Sequence, residues 1–123
     1  MSEVIEKNWG KETYFAVTDK YIGKFLEFEN VGNKTSMHFH KEKDETLVVL
    51  KGSFTLRIIN VVTSAIEEAV LIQGDRWRNV PLQPHQFEAR EPGSILIEVS
   101  TPEPIVDIYR ISPGTLPKDE FSV

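Results

Sequence analysis

The stretch GNKTSMHFHKEKDETLVVLKG, residues 32–52, decides how this chain is read. It runs from glycine to glycine, and between them His38 and His40 stand one residue apart, with Glu45 five positions on. TSMHFH and TLVVLK carry the β-branched and aromatic residues of strands, and the polar KEKD between them reads as a turn. On a strand, residues two apart project to the same side, so His38 and His40 point together while Phe39 faces the opposite layer. Glu45 opens the second strand and can close on the histidine pair if the turn lays the two strands side by side. LKGSF then reads as a tight hairpin around Gly52.

The same pattern continues in both directions. TYFAVT, YIGKFLEFE, FTLRII, AIEEAVLI, DRWRNV, HQFEAR, SILIEVS and VDIYRI read as strands, with turn residues every ten positions or so. Phe54, Leu56 and Ile58 share one face, and Ile95, Ile97 and Val99 share another. REPGS is a further turn, using Pro92 and Gly93. Ala, Glu and Leu give SAIEEAVLIQ some helix propensity, but its turn-flanked neighbours favour strand. Ten short strands in one small chain predict an all-β jelly roll or barrel. The expected core spans about 12–112, followed by an extended tail over 113–123 with two prolines and few periodic apolar positions.

Composition narrows the function. A chain of 123 residues with 40% hydrophobic and 27% charged residues fits one globular domain. No apolar run reaches the roughly 20 residues that span a bilayer, so no membrane partner is expected. The N-terminal MSEVIEKNWGKE is too polar for a secretory signal, which makes the cytoplasm the expected location. A net charge of −5 argues against nucleic acid, and the absence of cysteine removes thiolate ligands and nucleophiles.

The remaining histidine, His85, begins the strand HQFEAR, and Pro81 and Pro84 stiffen its approach. If His38, His40, Glu45 and His85 meet in space they form a metal site; otherwise they are ordinary polar residues. Imidazole and carboxylate ligands suit Zn, Fe, Mn, Co, Ni or Cu, and the set leaves positions open for water or substrate. By parity, Leu47 and Val49 would line the site beside Glu45, and Phe87 and Ala89 beside His85.

Residues 32–52 resemble the first motif of the cupin superfamily, G-x5-H-x-H-x4-E-x6-G, at Gly32, His38, His40, Glu45 and Gly52 without a gap. GDRWRNVPLQPHQFEA resembles the second motif at Gly74 and His85, departing from it where Val80, Leu82 and Ala89 replace the usual Pro, Gly and Asn. The resemblance implies a double-stranded β-helix, a jelly-roll barrel. It also implies a divalent transition metal held by His38, His40, Glu45 and His85, and a homodimer. A narrower likeness joins EKNWGKE, HQFEAREPGSILIEVSTP and VDIYRI to the cupin domain of type II mannose-6-phosphate isomerases and mannose-1-phosphate guanylyltransferases. There the end runs DIVRLEDDYGR, whereas this chain has DIYRISPGTLPKD.

Three functions follow as expectations. The first is metal-dependent isomerisation or epimerisation of a sugar or sugar phosphate; its base is not identified, since Glu27, Glu29, Glu88 and Glu98 all lie on predicted strands and parity does not choose among them. The second is an Fe(II) dioxygenase. The third is a non-catalytic module that binds a small molecule or carbohydrate. Arg57, Arg76 and Arg78 are candidate anion contacts, although strand arginines more often face solvent. Trp9 and Tyr109 are candidate sugar-stacking residues, although core packing is the commoner fate of aromatics.

Overall fold

A computed structural model describes residues 3–102 and 107–117. The described residues contain no helix, and so none that is long and apolar enough to cross a membrane. The described residues form eleven strands: β1 Glu3–Lys7, β2 Gly10–Val17, β3 Ile22–Phe28, β4 Met37–Phe39, β5 Glu45–Lys51, β6 Ser53–Ile59, β7 Ile66–Ile72, β8 Arg76–Asn79, β9 His85–Ala89, β10 Ser94–Ser100 and β11 Tyr109–Ser112. They form a six-stranded sheet in the order β1-β2-β3-β10-β5-β8 and a five-stranded sheet in the order β11-β4-β9-β6-β7. The observed pairings are all antiparallel.

The two sheets close on a single apolar layer. Leu26, Phe28, Leu47, Val49 and Leu96 come from one sheet, and Phe54, Leu56, Phe87 and Ala89 from the other. Each set alternates along its strands, as the pleat requires. Inward parity was read correctly for Leu47, Val49, Phe87 and Ala89, and the face shared by Phe54, Leu56 and Ile58 also turns inward. Ile95, Ile97 and Val99 do share a face, but it is the outer one; Ser94, Leu96, Glu98 and Ser100 point inward. Ile97 stands between Phe25 and Val48 on the neighbouring strands, so an apolar stripe crosses the outside of the larger sheet.

Most of the expected strands are present. AIEEAVLI is strand β7, paired along its whole length with β6, so sheet partnership overrides the helix propensity of Ala, Glu and Leu. EVIEK is an unanticipated strand, stabilised by pairing with β2 rather than by its own composition. TSMHFH contracts to Met37–Phe39. In VDIYRI the strand starts only at Tyr109, and Val106 lies outside the described residues. The tail is docked at Thr115, whose backbone N–H donates to the Lys34 carbonyl and whose hydroxyl accepts the Lys34 N–H. Residues 118–123 of the tail lie outside the described residues.

Two turns fix how the strands meet the site. Gly52 has φ 76°, and a β-carbon there would overlap the Ser94 side chain, so the β5–β6 hairpin needs glycine for both reasons. Leu82 also lies in the left-handed region, at φ 72°, without glycine's freedom. Its N–H donates to the His40 carbonyl at 2.6 Å, tying the loop before His85 to the end of the histidine strand. Leu82→Gly should therefore raise the unfolding free energy by roughly 0.5–1 kcal/mol, because strain is relieved by more than chain entropy is lost. Gly52→Ala should lower it by more than about 2 kcal/mol. Urea titration of the two variants checks both signs.

Candidate metal centre

The four side chains singled out in the sequence converge at one end of the barrel. His38 on β4 and His85 on β9 are direct cross-strand partners in the smaller sheet. Glu45 enters from β5 in the larger sheet, and His40 follows the end of β4. One ring nitrogen of each histidine lies within 4.8 Å of the others. Glu45 Oε1 is 2.9 Å from His85 Nε2 and 3.9 Å from His40 Nε2. His40, Glu45 and His85 are each at most 4% exposed, so this cluster is not a solvated surface group.

Backbone carbonyls orient all three rings. Nδ1 of His38 faces the Ser36 carbonyl at 2.9 Å, Nδ1 of His40 the Asp107 carbonyl at 2.5 Å, and Nδ1 of His85 the Gln83 carbonyl at 2.8 Å. A carbonyl oxygen can only accept, so Nδ1 of His40 and of His85 carries the proton, and in the neutral ring Nε2 keeps its lone pair; Nδ1 of His38 also meets the Ser36 hydroxyl at 2.8 Å. The Nε2 of His85 is buried without an aligned hydrogen bond, and it faces the equally electron-rich Glu45 oxygen. A proton on Nε2, which would make an ion pair with Glu45, or a bound cation satisfies the two groups. The donor set therefore fits a divalent transition metal, for which imidazole Nε2 and carboxylate are ordinary ligands.

A second set of ionisable groups adjoins the histidines. Lys43 Nζ bridges Glu45 at 3.2 Å and Glu98 at 3.1 Å. Lys24 Nζ lies 3.4 Å from Glu12 and 3.7 Å from Glu98. Asn79 donates to Glu45 Oε1 and accepts from the Trp77 indole, which fixes the carboxylate's position. The turn between the histidines and Glu45 is held by Asp107, whose carboxylate accepts the N–H groups of Lys41, Glu42 and Lys43.

These surroundings shift the titrations. Burial, together with the neighbouring His85 and His40, lowers the His38 pKa to about 3. Burial likewise lowers His40, against the pull of Glu45. For Glu45 burial works upward but is outweighed by His85 and Lys43, leaving the carboxylate well below its usual range. Burial and the Glu45 charge push Glu98 up to about 7. Burial opposes the Lys24 charge, but Glu98 and Glu12 outweigh it and raise its pKa. Backbone N–H donors hold Asp107 low in spite of its burial.

A cavity of about 370 Å³ opens over the histidines and the charged row. Of the four glutamates considered as a base, only Glu98 lines it; Glu27 pairs with Lys11 outside, and Glu88 pairs with Arg57. Arg57 and Arg78 are likewise engaged elsewhere, with Glu68 and Glu88 and with Asp44 respectively, and neither they nor Arg76 line the cavity. Trp9 lines it while stacking on Phe28 at 4.4 Å, so its packing and cavity roles coincide. Tyr109 stacks on Phe39 instead and does not line the cavity. Sequence reasoning missed Lys24, Lys43, Asn79 and Asp107. Parity offered a signal for Lys24, which shares its face with Leu26 and Phe28.

No family model matches the sequence, and neither does any curated protein sequence. Solved structures do match. KdgF from Halomonas sp. is 20% identical over 84% of this chain and 88% of its own, with a TM-score of 0.72. The capsular polysaccharide assembling protein CapF from Staphylococcus aureus is 18% identical over 91% of this chain, with a TM-score of 0.77. Oxalate decarboxylase from Bacillus subtilis is 18% identical over 89% of this chain, with a TM-score of 0.75. The chain spans 34% of CapF and 30% of the decarboxylase. At such identities the likeness is one of fold: the two sheets form the cupin jelly roll, as the motifs at residues 32–52 and 74–89 implied. It does not bear on the narrower resemblance to mannose-6-phosphate isomerases.

The buried titrations oppose one another in metal-free protein. His38 has a folded pKa of about 3 against an ordinary 6.5, so below pH 6.5 the unfolded chain takes the proton first and stability falls. Glu98 has a folded pKa of about 7 against an ordinary 4.5, so between these values the folded chain takes the proton first and acidification stabilises. Glu98→Gln removes that offset. Between pH 7 and 5, with chelator present, the variant should lose roughly 1–2 kcal/mol more than the parent, read by denaturant titration at each pH.

Proposed function

We propose that this chain is a metal-dependent cupin enzyme that moves a proton between adjacent carbons of a small sugar or sugar phosphate, as an isomerase or epimerase does. The observation that carries the reading is the row Glu98–Lys43–Glu45, which joins a buried acid–base group to the imidazole face inside one cavity. A binding module has no use for a carboxylate desolvated between two ammonium groups, whereas proton transfer does. The cupin fold and the CapF likeness support a sugar-related ligand, since CapF is described as assembling capsular polysaccharide.

His38, His40, Glu45 and His85 would hold the ion, which could be Zn, Fe, Mn, Ni or Co. When bound, it would polarise the hydroxyl and carbonyl oxygens of a neighbouring pair of carbons. The work of the chain's own residues can be stated separately. Glu98 takes the proton from the carbon bearing the hydroxyl and returns a proton to its neighbour. Lys43 and Lys24 hold Glu98 in place and stabilise its charged form. Ser36, Gln83 and Asp107 keep the imidazoles turned inward through their carbonyls, and Trp9, Leu47 and Phe87 exclude water from the inner wall.

Two measurements test this. Elemental analysis of protein purified without chelator should give one metal ion per chain, and His40→Ala should retain almost none; full retention moves the site elsewhere. Metal-loaded protein incubated with aldoses and aldose phosphates in deuterated water should place deuterium at C2. Glu98→Gln should abolish that exchange by at least about 100-fold while keeping its metal. Exchange that survives in the variant takes Glu98 out of the chemistry.

A further inference from the structure

The outer part of the cavity carries charge that no described residue neutralises. At the inner end, Lys24 and Lys43 are spoken for by Glu12, Glu45 and Glu98. At the mouth stand Lys7 at the end of β1 and Arg110 on β11, and neither has an ion-pair partner among the described residues. Arg57 and Arg78 show the alternative, since each is closed by a carboxylate. Arg110 is also placed with some care. It is the cross-strand partner of His38, so its side chain leaves the sheet on the same side as that imidazole. The register slips between Arg110 and Ser112, and such a bulge re-aims the side chains around it.

The rest of the molecule leans the other way. The chain carries a net charge of −5, so its exterior repels small anions while the cavity mouth attracts them. A divalent cation on the histidines would deepen the contrast. We infer that the cavity takes a small oxygen-rich anion, with Arg110 gripping its carboxylate or phosphate at the mouth and Lys7 adding charge from the opposite rim. This builds on the function proposed above, since the oxygens at the other end of the ligand are those that would reach the histidines. A planar guanidinium suits either group, because both offer paired oxygens to its fork of N–H donors.

Calorimetric titration with glucose, glucuronate and glucose 6-phosphate tests the assignment, using metal-loaded parent, Arg110→Gln and Arg110→Lys. The parent should bind at least one of the anions about tenfold or more tightly than glucose, and that preference should shrink at high salt. Arg110→Gln should abolish the preference without changing glucose affinity, and Arg110→Lys should keep part of it. Whichever anion loses more in the glutamine variant identifies the group recognised. Arg110 is exposed on an edge strand, so the variant should fold, and its melting temperature verifies that. A parent that binds neither anion more tightly than glucose, including undetectable binding of all three, overturns the inference. So does a glutamine variant with its preference intact. Deuterium exchange is a separate readout: an intact anion preference without exchange removes the isomerase reading and leaves Arg110 in place.

Discussion

Three backbone carbonyls, those of Ser36, Gln83 and Asp107, each face Nδ1 of one histidine, and how the rings meet Glu45 depends on that arrangement. An imidazole free to rotate or change tautomer would present a donor as often as a lone pair. With its Nδ1 proton given to a carbonyl, a neutral ring presents the Nε2 lone pair. In that form the rings turn their lone pairs toward Glu45. The fit to a cation therefore rests on main-chain hydrogen bonding as well as on the identity of the side chains.

The charged row beside the histidines is held by the same economy of pairing. A lone carboxylate or ammonium in this interior would carry a desolvation penalty of several kcal/mol. Glu12, Lys24, Glu98, Lys43 and Glu45 alternate in sign, so each charge has an opposite neighbour, and Asn79 adds a neutral donor to the last. Glu98 is the member with the least secure charge: it is fully buried next to another carboxylate, and neither lysine aims an aligned hydrogen bond at its Oε2. Such a row contributes little to stability that an apolar core would not.

Much of this was legible in the sequence, for reasons that can be named. The spacing of His38, His40, Glu45 and Gly52 is local, and a strand's period of two converts it directly into geometry. His85 was recoverable because a turn-rich, proline-stiffened segment delivers it to the start of a strand. The apolar walls followed from parity. Lys24, Lys43 and Glu98 were harder because lysine and glutamate usually mark solvent, and only three-dimensional pairing reveals them as interior residues. Asp107 was hidden entirely, since its value lies in contacts 64 to 67 positions away. Strand β1 escaped because its support comes from β2 and not from its own composition.

Asp107 carries one more implication, for the order in which the protein is made. Its carboxylate gathers the turn at residues 41–43 and its carbonyl sets the ring of His40. A chain still on the ribosome, extended past His85 but not yet to residue 107, owns all the electron-pair donors yet lacks the clamp that arranges one of them. Any cation met by that shorter chain would find His40 without the carbonyl that sets its ring.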